Sequence, residues 1–368
     1  MGFIEIRHLK LIDTIEQVGT LKMAAERLYL TQSALSHQLR ELETRLETKI
    51  FHRVNNKLVF TPSGKELRDA SKEILKRLDV LEDKIHEINK DDIKDYIHGY
   101  SDEETIRLND QADSISEILH WDSKWEKDAL VLEAGCGVGA QTKIIAQMSP
   151  EASFISVDIS STSIEKAKSA IAKEKIGNVH FELADIFELP YPDGHFDHIF
   201  VCFVLEHLTR PMDALKELKR VLRSNGTITI IEGDHGSTYF HPDSENARKA
   251  VEAQVSLQKK KGGNANIGRE LYPILSDAGF NSIKVSPRQI YVDDSKPKLK
   301  EGFIRNTFTA MIKGISEEVI AQKFIHRNEL NSGITDLYNT AIDNGTFCYT
   351  FFKADRKSTR LNSSHPSR

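Results

Sequence analysis

The sequence predicts a multidomain protein, an all-α head followed by a larger α/β domain built on a mostly parallel sheet. Three observations carry that prediction. Leu35, Leu39, Leu42 and Leu46 recur at a 4-3-4 spacing, the apolar stripe of an amphipathic helix. From Leu130 onward, short apolar runs alternate with helical patterns, and the first run enters the glycine turn Gly135-Cys136-Gly137-Val138-Gly139. Charge divides along the same line: residues 1–90 hold 16 Lys and Arg against 14 Asp and Glu, whereas residues 91–355 hold 30 against 41.

Size and composition bound the rest. The 368 residues, 39% of them hydrophobic, suffice for two cores of ordinary size. No run approaches the roughly 20 apolar residues of a membrane helix. The opening Met1-Gly2-Phe3-Ile4-Glu5-Ile6-Arg7 is too polar for a signal peptide. Cys136, Cys202 and Cys348 are too scattered for a disulfide framework or a metal site. These features predict a chain of the reducing cytoplasm without a resident metal. The acidic second part would repel a polyanion, so nucleic-acid binding is expected in the first 90 residues.

In the head, Leu9, Leu11, Ile12 and Ile15 form one face of a first helix, which Gly19-Thr20 ends. Leu21 to Leu28 reads as a short second helix in which Ala24 and Ala25 permit close packing. Thr31 is placed to cap a third helix running to about Leu46. Opposite the leucine stripe, Gln32, Ser33, Ser36, His37 and Arg40 form a polar face. Glutamine pairs bidentately with adenine and arginine with guanine, so the face suits a major-groove reader; alone, it would equally be a solvated helix face. The run Thr31 to Glu43 (TQSALSHQLRELE), Ile50-Phe51-His52-Arg53 and the hairpin ending Phe60-Thr61-Pro62-Ser63-Gly64 resemble the winged helix-turn-helix of LysR-type transcriptional regulators over residues 5–68. That resemblance implies a prokaryotic DNA-binding domain at 1–64. Thr31, Gln32, Ser33, Ser36, His37 and Arg40 would meet operator DNA, and Arg53 and Lys57 its phosphates.

Residues 65–90 read as a further helix. Leu67, Ile74, Leu78, Leu81, Ile85 and Ile88 follow coiled-coil spacing, with Ser71 as a polar interruption. A single helix cannot bury that stripe, and the LysR resemblance implies that it pairs two subunits into a dimer or a higher oligomer.

The second domain is expected over 91–355, with its core at about 128–235. Strands are read at 130–133, 154–158, 180–185, 198–202 and 227–232, with two more at 283–285 and 347–352, giving seven in all. In such a sheet the ligand lies at the carboxyl ends of the strands. Gly135 and Gly137 allow a tight turn and a close approach to a ligand, and Gly139 lets the next helix pack closely. Asp158 ends the second strand, where an acid can bond two ribose hydroxyls. These two features also fit a dinucleotide fold. The succession of Asp185-Ile186, then Leu189-Pro190-Tyr191-Pro192-Asp193-Gly194-His195-Phe196-Asp197, then Phe203-Val204-Leu205-Glu206-His207-Leu208 resembles the Rossmann-like fold of class I S-adenosylmethionine-dependent methyltransferases, over roughly 100–235. The glycine turn also lacks the dinucleotide spacing GxGxxG.

The resemblance implies S-adenosyl-L-methionine as cofactor. It assigns Glu133 and Gly135 to the methionine end, Asp158 to the ribose, and Asp185 and Ile186 to the adenine. Cys136, Gly137, Gly139, Ile159 and Cys202 complete the cofactor-binding set. Tyr100, in the arm Gly99 to Leu108, would bond the cofactor carboxylate. Methyl transfer needs the acceptor positioned and, where required, deprotonated. His207 is the candidate base, with Glu206, Asn266 and Arg269 beside it on the acceptor side. No Asn-Pro-Pro-Tyr-like element follows the fourth strand, which points to a small-molecule acceptor. Residues 238–272 and 296–342 are expected to insert, to lid the cleft and to choose the substrate. Residues 356–368 are basic and aperiodic, resemble vector-derived sequence and are set apart as a non-native tail. Two other readings stay open at this point. The second domain could be a sensor of S-adenosylmethionine or its product that performs no turnover, or the fusion could be uncoupled or artefactual.

Overall fold

The computed structural model describes residues 4–28, 30–54, 57–88 and 102–356. The chain divides into two compact units, Met1–Ile93 and Lys94–Arg368. Among the described residues no helix is long and apolar enough to cross a membrane.

The first unit holds α1 (Ile6–Val18), α2 (Leu21–Arg27), α3 (Gln32–Arg45), the antiparallel pair β1 (Phe51–Val54) and β2 (Lys57–Phe60), and α4 (Pro62–Ile88). Gly19 ends α1 at φ 73°, a left-handed stop that a glycine reaches without steric cost. Thr31 caps α3, its Oγ1 accepting the Ala34 N–H at 3.2 Å. Leu9, Leu11, Ile12, Ile15, Leu35, Leu39 and Leu42 meet in one buried core with Ile50 and Phe51. The hairpin makes this unit not purely helical. Its second strand is followed at once by α4, which begins at Pro62, three residues before the expected boundary. Thr61 fixes that start: its Oγ1 accepts the Gly64 N–H at 2.9 Å and donates to the Lys49 carbonyl at 2.6 Å.

The stripe of α4 divides. Leu67 and Ser71 are buried on the head itself, and the Ser71 hydroxyl donates to the Leu67 carbonyl at 2.6 Å. The first expected pairing positions are therefore spent inside the domain. Ile74 is 43% exposed. The side chains of Leu78, Leu81, Ile85 and Ile88 lie outside the described residues.

The second unit opens with α5 (Asp102–His120), then β3 (Leu130–Ala134), α6 (Ala140–Met148), β4 (Ser153–Asp158), α7 (Ser161–Lys173), β5 (Val179–Leu183) and β6 (Phe196–Cys202). A short turn of helix at Leu205–His207 leads to α8 (Pro211–Val221), β7 (Leu222–His241), α9 (Glu245–Lys260), α10 (Leu271–Asp277) and β8 (Ile283–Val292). After α11 (Pro297–Leu299) comes a π-helical stretch at Lys300–Thr309, then α12 (Ala310–Gly314), α13 (Ser316–Ala321), α14 (Arg327–Asn339) and β9 (Thr346–Arg356). The seven strands lie in the order β5-β4-β3-β6-β7-β9-β8, with β9 antiparallel to both its neighbours and the first five parallel.

Alternation along the strands feeds two cores. Val131, Phe154, Phe200 and Ile231 face one layer, and Leu132, Ile155, Ile199, Val201 and Ile230 the other. A sheet covered on both faces requires that pattern.

Three boundaries differ from expectation. The fifth strand of the sheet continues to His241, so residues 239–241 pair with β9 instead of belonging to an insertion. Arg356 pairs with Ile283 and belongs to the sheet, not to the tail. The segment expected as a lid is part of the core: Phe303, Ile304, Phe308 and Ile312 are buried against Leu119, Leu257, Phe347 and Tyr349. Apolar content at this density secures a helical segment to the sheet.

Candidate functional sites

The sheet order changes direction at β3, which pairs with β4 on one side and β6 on the other. At such a switch point the loops leaving two neighbouring strands part and open a crevice. The glycine turn leaves β3 here. Gly135, Gly137 and Gly139 have φ of 80°, 51° and 82°. The Gly135 and Cys136 N–H groups both donate to the Val157 carbonyl, at 2.8 and 3.0 Å, which folds the turn back over β4. A Cβ at Gly135 would stand 2.4 Å from a Val204 methyl, and one at Gly139 3.0 Å from the Ala167 Cβ. The first glycine thus admits the loop leaving β6, and the third lets α6 approach α7.

Asp158 sits against this turn. One carboxylate oxygen accepts the Gly137 N–H at 2.8 Å and the other the Ser160 N–H at 2.9 Å. Burial raises its pKa, against the backbone hydrogen bonds that lower it. The Ile159 N–H also bonds this carboxylate, which with about four lone-pair sites keeps room for a further donor. Ile159 follows directly. Across the β4–β5 pair, the Ala184 N–H donates to the Asp158 carbonyl at 3.1 Å, which sets Asp185 and Ile186 beside this acid. Asp185 accepts the Phe187 N–H at 2.8 Å, and Ile186 is half-buried. Cys136 and Cys202 are buried, and burial pushes both thiols well up.

Glu133 stands apart from its expected place. Only 2% exposed, it accepts the Thr142 hydroxyl at 2.7 Å and the Ser156 hydroxyl at 2.6 Å on one oxygen. Burial raises its pKa to about 7. It ties β3, β4 and α6 together beneath the turn. Tyr100 lies outside the described residues.

Glu206, His207, Asn266 and Arg269, the residues expected on the acceptor side, lie just past β6 and beside Asp234 to Gly236 of β7. Glu206 is buried, its pKa raised to about 7 by burial. The His207 Nε2 lies 3.5 Å from a Glu206 oxygen. Burial, then His235 and Arg107, hold His207 down at about 3, so it is a neutral imidazole and a weak base. This environment opposes the role expected of it. Arg269 forms a two-pronged pair with Asp234, at 2.8 and 2.6 Å, and the Asn266 Oδ1 accepts the Gly236 N–H at 2.8 Å. Both residues hold the irregular stretch of β7 after Asp234, and Arg269 stays half-exposed.

Four residues here were missed from the sequence. Glu232 accepts the Val204 and Leu205 N–H groups at 3.0 and 2.7 Å and so shapes the loop leaving β6, where Phe203 adopts φ 59°. His235 is in hydrogen-bond contact with the Tyr349 hydroxyl at 2.5 Å. Gln258 donates to the Glu206 carbonyl at 2.9 Å. The only available signal was Glu232-Gly233-Asp234-His235, polar residues prolonging an apolar strand. Among the described residues no group of His, Cys, Asp and Glu side chains is arranged to hold a metal ion.

In the head, Gln32, Ser33, His37 and Arg40 are exposed on one face of α3, with Ser36 half-buried among them. Thr31 is occupied as the cap and also contacts the Ser33 hydroxyl at 3.0 Å. Arg53 and Lys57 stand on β1 and β2, flanking the hairpin turn, but their side chains lie outside the described residues.

Comparison with known proteins divides the chain at the same place. Residues 6–65 match the family described as bacterial regulatory helix-turn-helix protein, lysR family, and residues 126–279 match a methyltransferase domain. An uncharacterized 37.1 kDa protein in transposon TN4556 of Streptomyces fradiae is 28% identical over 316 residues, covering 84% of this chain and 86% of that one. An uncharacterized methyltransferase of Schizosaccharomyces pombe is 34% identical over 161 residues, covering 42% of this chain and 58% of its own length. The HTH-type transcriptional regulator MetR of Haemophilus influenzae is 40% identical over 76 residues, which is 21% of this chain and 25% of that protein.

Proposed function

From a chain that joins a LysR-type helix-turn-helix domain to a class I S-adenosylmethionine-dependent methyltransferase domain, we propose a DNA-binding transcriptional regulator whose second unit methylates a small molecule. The observation that carries the methyltransferase half is Asp158, fixed by backbone N–H groups against the glycine turn with room left for a ribose hydroxyl. Gly135 and Gly137 would border the methionine end, and Asp185 and Ile186 the adenine. When bound, the cofactor supplies a methyl group on a sulfonium. The chain holds the cofactor, orients the acceptor and manages its proton. On the DNA side, Gln32, Ser33, His37 and Arg40 would enter the major groove, and Ile74 and the α4 positions beyond it would pair two subunits.

The Streptomyces fradiae alignment supports a natural fusion. At 84% of this chain it crosses the join between the two units wherever it begins.

Calorimetry with S-adenosylmethionine and S-adenosylhomocysteine tests the enzymatic half. The wild type should bind both, and Asp158→Ala should weaken binding about 10- to 100-fold, the cost of a lost charge-assisted hydrogen bond. Unchanged affinity in that variant would remove the site assignment. Duplexes selected from a random pool on the wild-type chain test the other half, with Arg40→Ala expected to lose about 1–3 kcal/mol of discrimination at one base pair.

A further inference from the structure

The loop between β5 and β6, which begins with Asp185 and Ile186, is clamped by a single helix. Glu217 and Arg220 stand three residues apart on one face of α8. The Glu217 Oε1 accepts the Leu189 N–H at 2.8 Å. Arg220 donates to the carbonyls of Leu189 and Tyr191, at 2.9 and 2.7 Å, and to the Asp193 carboxylate at 2.9 Å. It also donates to both Glu217 oxygens, at 2.9 and 2.6 Å. A guanidinium has five N–H donors in a fixed fork, and all five are engaged here. Ala214, Leu215, Leu218 and Val221 of the same helix are fully buried, so the clamp stands on a rigid support.

A displacement at Leu189 reaches Asp185 through one tight turn. The Glu188 N–H donates to the Asp185 carbonyl at 3.1 Å, and the Phe187 N–H to an Asp185 carboxylate oxygen at 2.8 Å. The far end of the loop is tied down as well: the Tyr191 hydroxyl donates to Glu182 of β5 at 2.8 Å, and the Gly194 N–H to the Arg220 carbonyl at 2.9 Å. We infer that Glu217 and Arg220 are positioning residues for recognition of the cofactor's base. By fixing the Leu189 and Tyr191 carbonyls they fix the second Asp185 oxygen, the one that would accept the adenine amino group. The inference rests on the assignment of Asp185 to the adenine and deepens it.

Two forces hold this loop, and they do different things. The side chains of Leu189 and Tyr191 are buried in the core, which sets the depth of the loop. Apolar burial has no direction, so the rotation of the backbone is left to the clamp. Hydrogen bonds weaken steeply with angle and distance, and a shift of about 1 Å at Asp185 is enough to lose one. A lysine ammonium is a single point of charge and cannot span acceptors on both prongs of the fork. Because Arg220 is one-third exposed, water can meet the acceptors that a lysine leaves, and the variant is expected to fold. A clamp that served stability alone would affect every nucleoside ligand equally. One that aims Asp185 changes the preference between bases.

Calorimetry of the full chain with S-adenosylhomocysteine and S-inosylhomocysteine, in which a ring carbonyl replaces the amino group, reads that preference. The wild type should favour the adenine form about 10- to 100-fold, the range of a hydrogen bond to a charged group. Asp185→Asn should abolish the preference, and Arg220→Lys should narrow it to less than about threefold. Glu217→Gln keeps an acceptor for the Leu189 N–H and should narrow the preference at least threefold, so the clamp stays testable if the lysine variant fails to fold. Arg223→Lys alters a neighbouring surface pair with Asp197 and should keep the wild-type ratio. The inference alone is overturned if Asp185→Asn abolishes the preference while Arg220→Lys and Glu217→Gln retain it, even with both ligands bound more weakly. A wild type that binds the two ligands equally removes the Asp185 assignment, and the inference with it.

Discussion

The side of the second unit proposed to hold the cofactor is built from backbone and the side proposed to take the acceptor from side chains, and the contrast governs how each responds to change. On the first side, three glycines at positive φ make the turn, and the N–H groups of Gly137 and Ser160 hold the Asp158 carboxylate against it. On the acceptor side, Glu206, Glu232, His235, Gln258 and Tyr349 converge from four separate segments of the chain. A backbone cradle breaks when geometry changes. A side-chain cluster responds to changes of charge. The largest predicted effect comes from breaking the cradle. Gly135→Ala would place a Cβ 2.4 Å from a Val204 methyl at φ 80°, and Val204 is tethered in turn by Glu232. Left-handed strain of about 1–2 kcal/mol and overpacking of about 1–3 kcal/mol would be lost from the stability of the second unit, roughly a 30-fold or larger shift in its unfolding equilibrium. A shift of less than threefold in denaturant unfolding would show that the turn is not a rigid cradle.

The next effect sharpens the comparison by finding a charge-sensitive group under the backbone cradle. Burial raises Glu133 from 4.5 to about 7. A carboxyl with a raised folded-state pKa contributes fully below its unfolded pKa, and that contribution is lost as pH rises through the folded value. At pH 8 the loss approaches about 3 kcal/mol. Glu133→Gln keeps an acceptor for the Thr142 and Ser156 hydroxyls without the charge. It should match the wild type near pH 4.5 and exceed it by about 2–3 kcal/mol at pH 8 in denaturant unfolding of the second unit. Parallel pH profiles for the two proteins would mean that Glu133 is ionised without penalty.

This difference in construction also decides what the sequence could tell. The helical stripe of α3, the wing and every strand of the sheet were legible because periods of 3.6 and 2 are local properties of the chain. The cradle was legible for the same reason: glycines and the acid Asp158 lie within 25 residues, and backbone geometry leaves few substitutes. Glu232 and His235 were not legible, because their role depends on a loop from β6 and a strand more than 100 residues later. The bracing role of Glu133 was hidden for a related reason. An acid beside a glycine turn reads as a ligand contact, and only its burial between Thr142 and Ser156 shows that it braces the turn from beneath. The length of β7 was hidden because Gly233 and Asp234 are poor strand formers that pairing with β9 overrides.

The smallest predicted effect separates the glycines of one turn. A Cβ at Gly137 meets nothing within 4 Å, so Gly137→Ala costs only the strain of φ 51°. Roughly 1 kcal/mol, or about a fivefold change in the unfolding equilibrium, is expected in the protein without ligand. The space in front of that Cβ is where a ligand seated on Asp158 would pass, because the Gly137 N–H donates to the same carboxylate. Affinity for S-adenosylhomocysteine should therefore fall by more than the fivefold change in stability. A loss no larger than fivefold would mean that the ligand keeps clear of Gly137, and that only Gly135 and Asp158 border it.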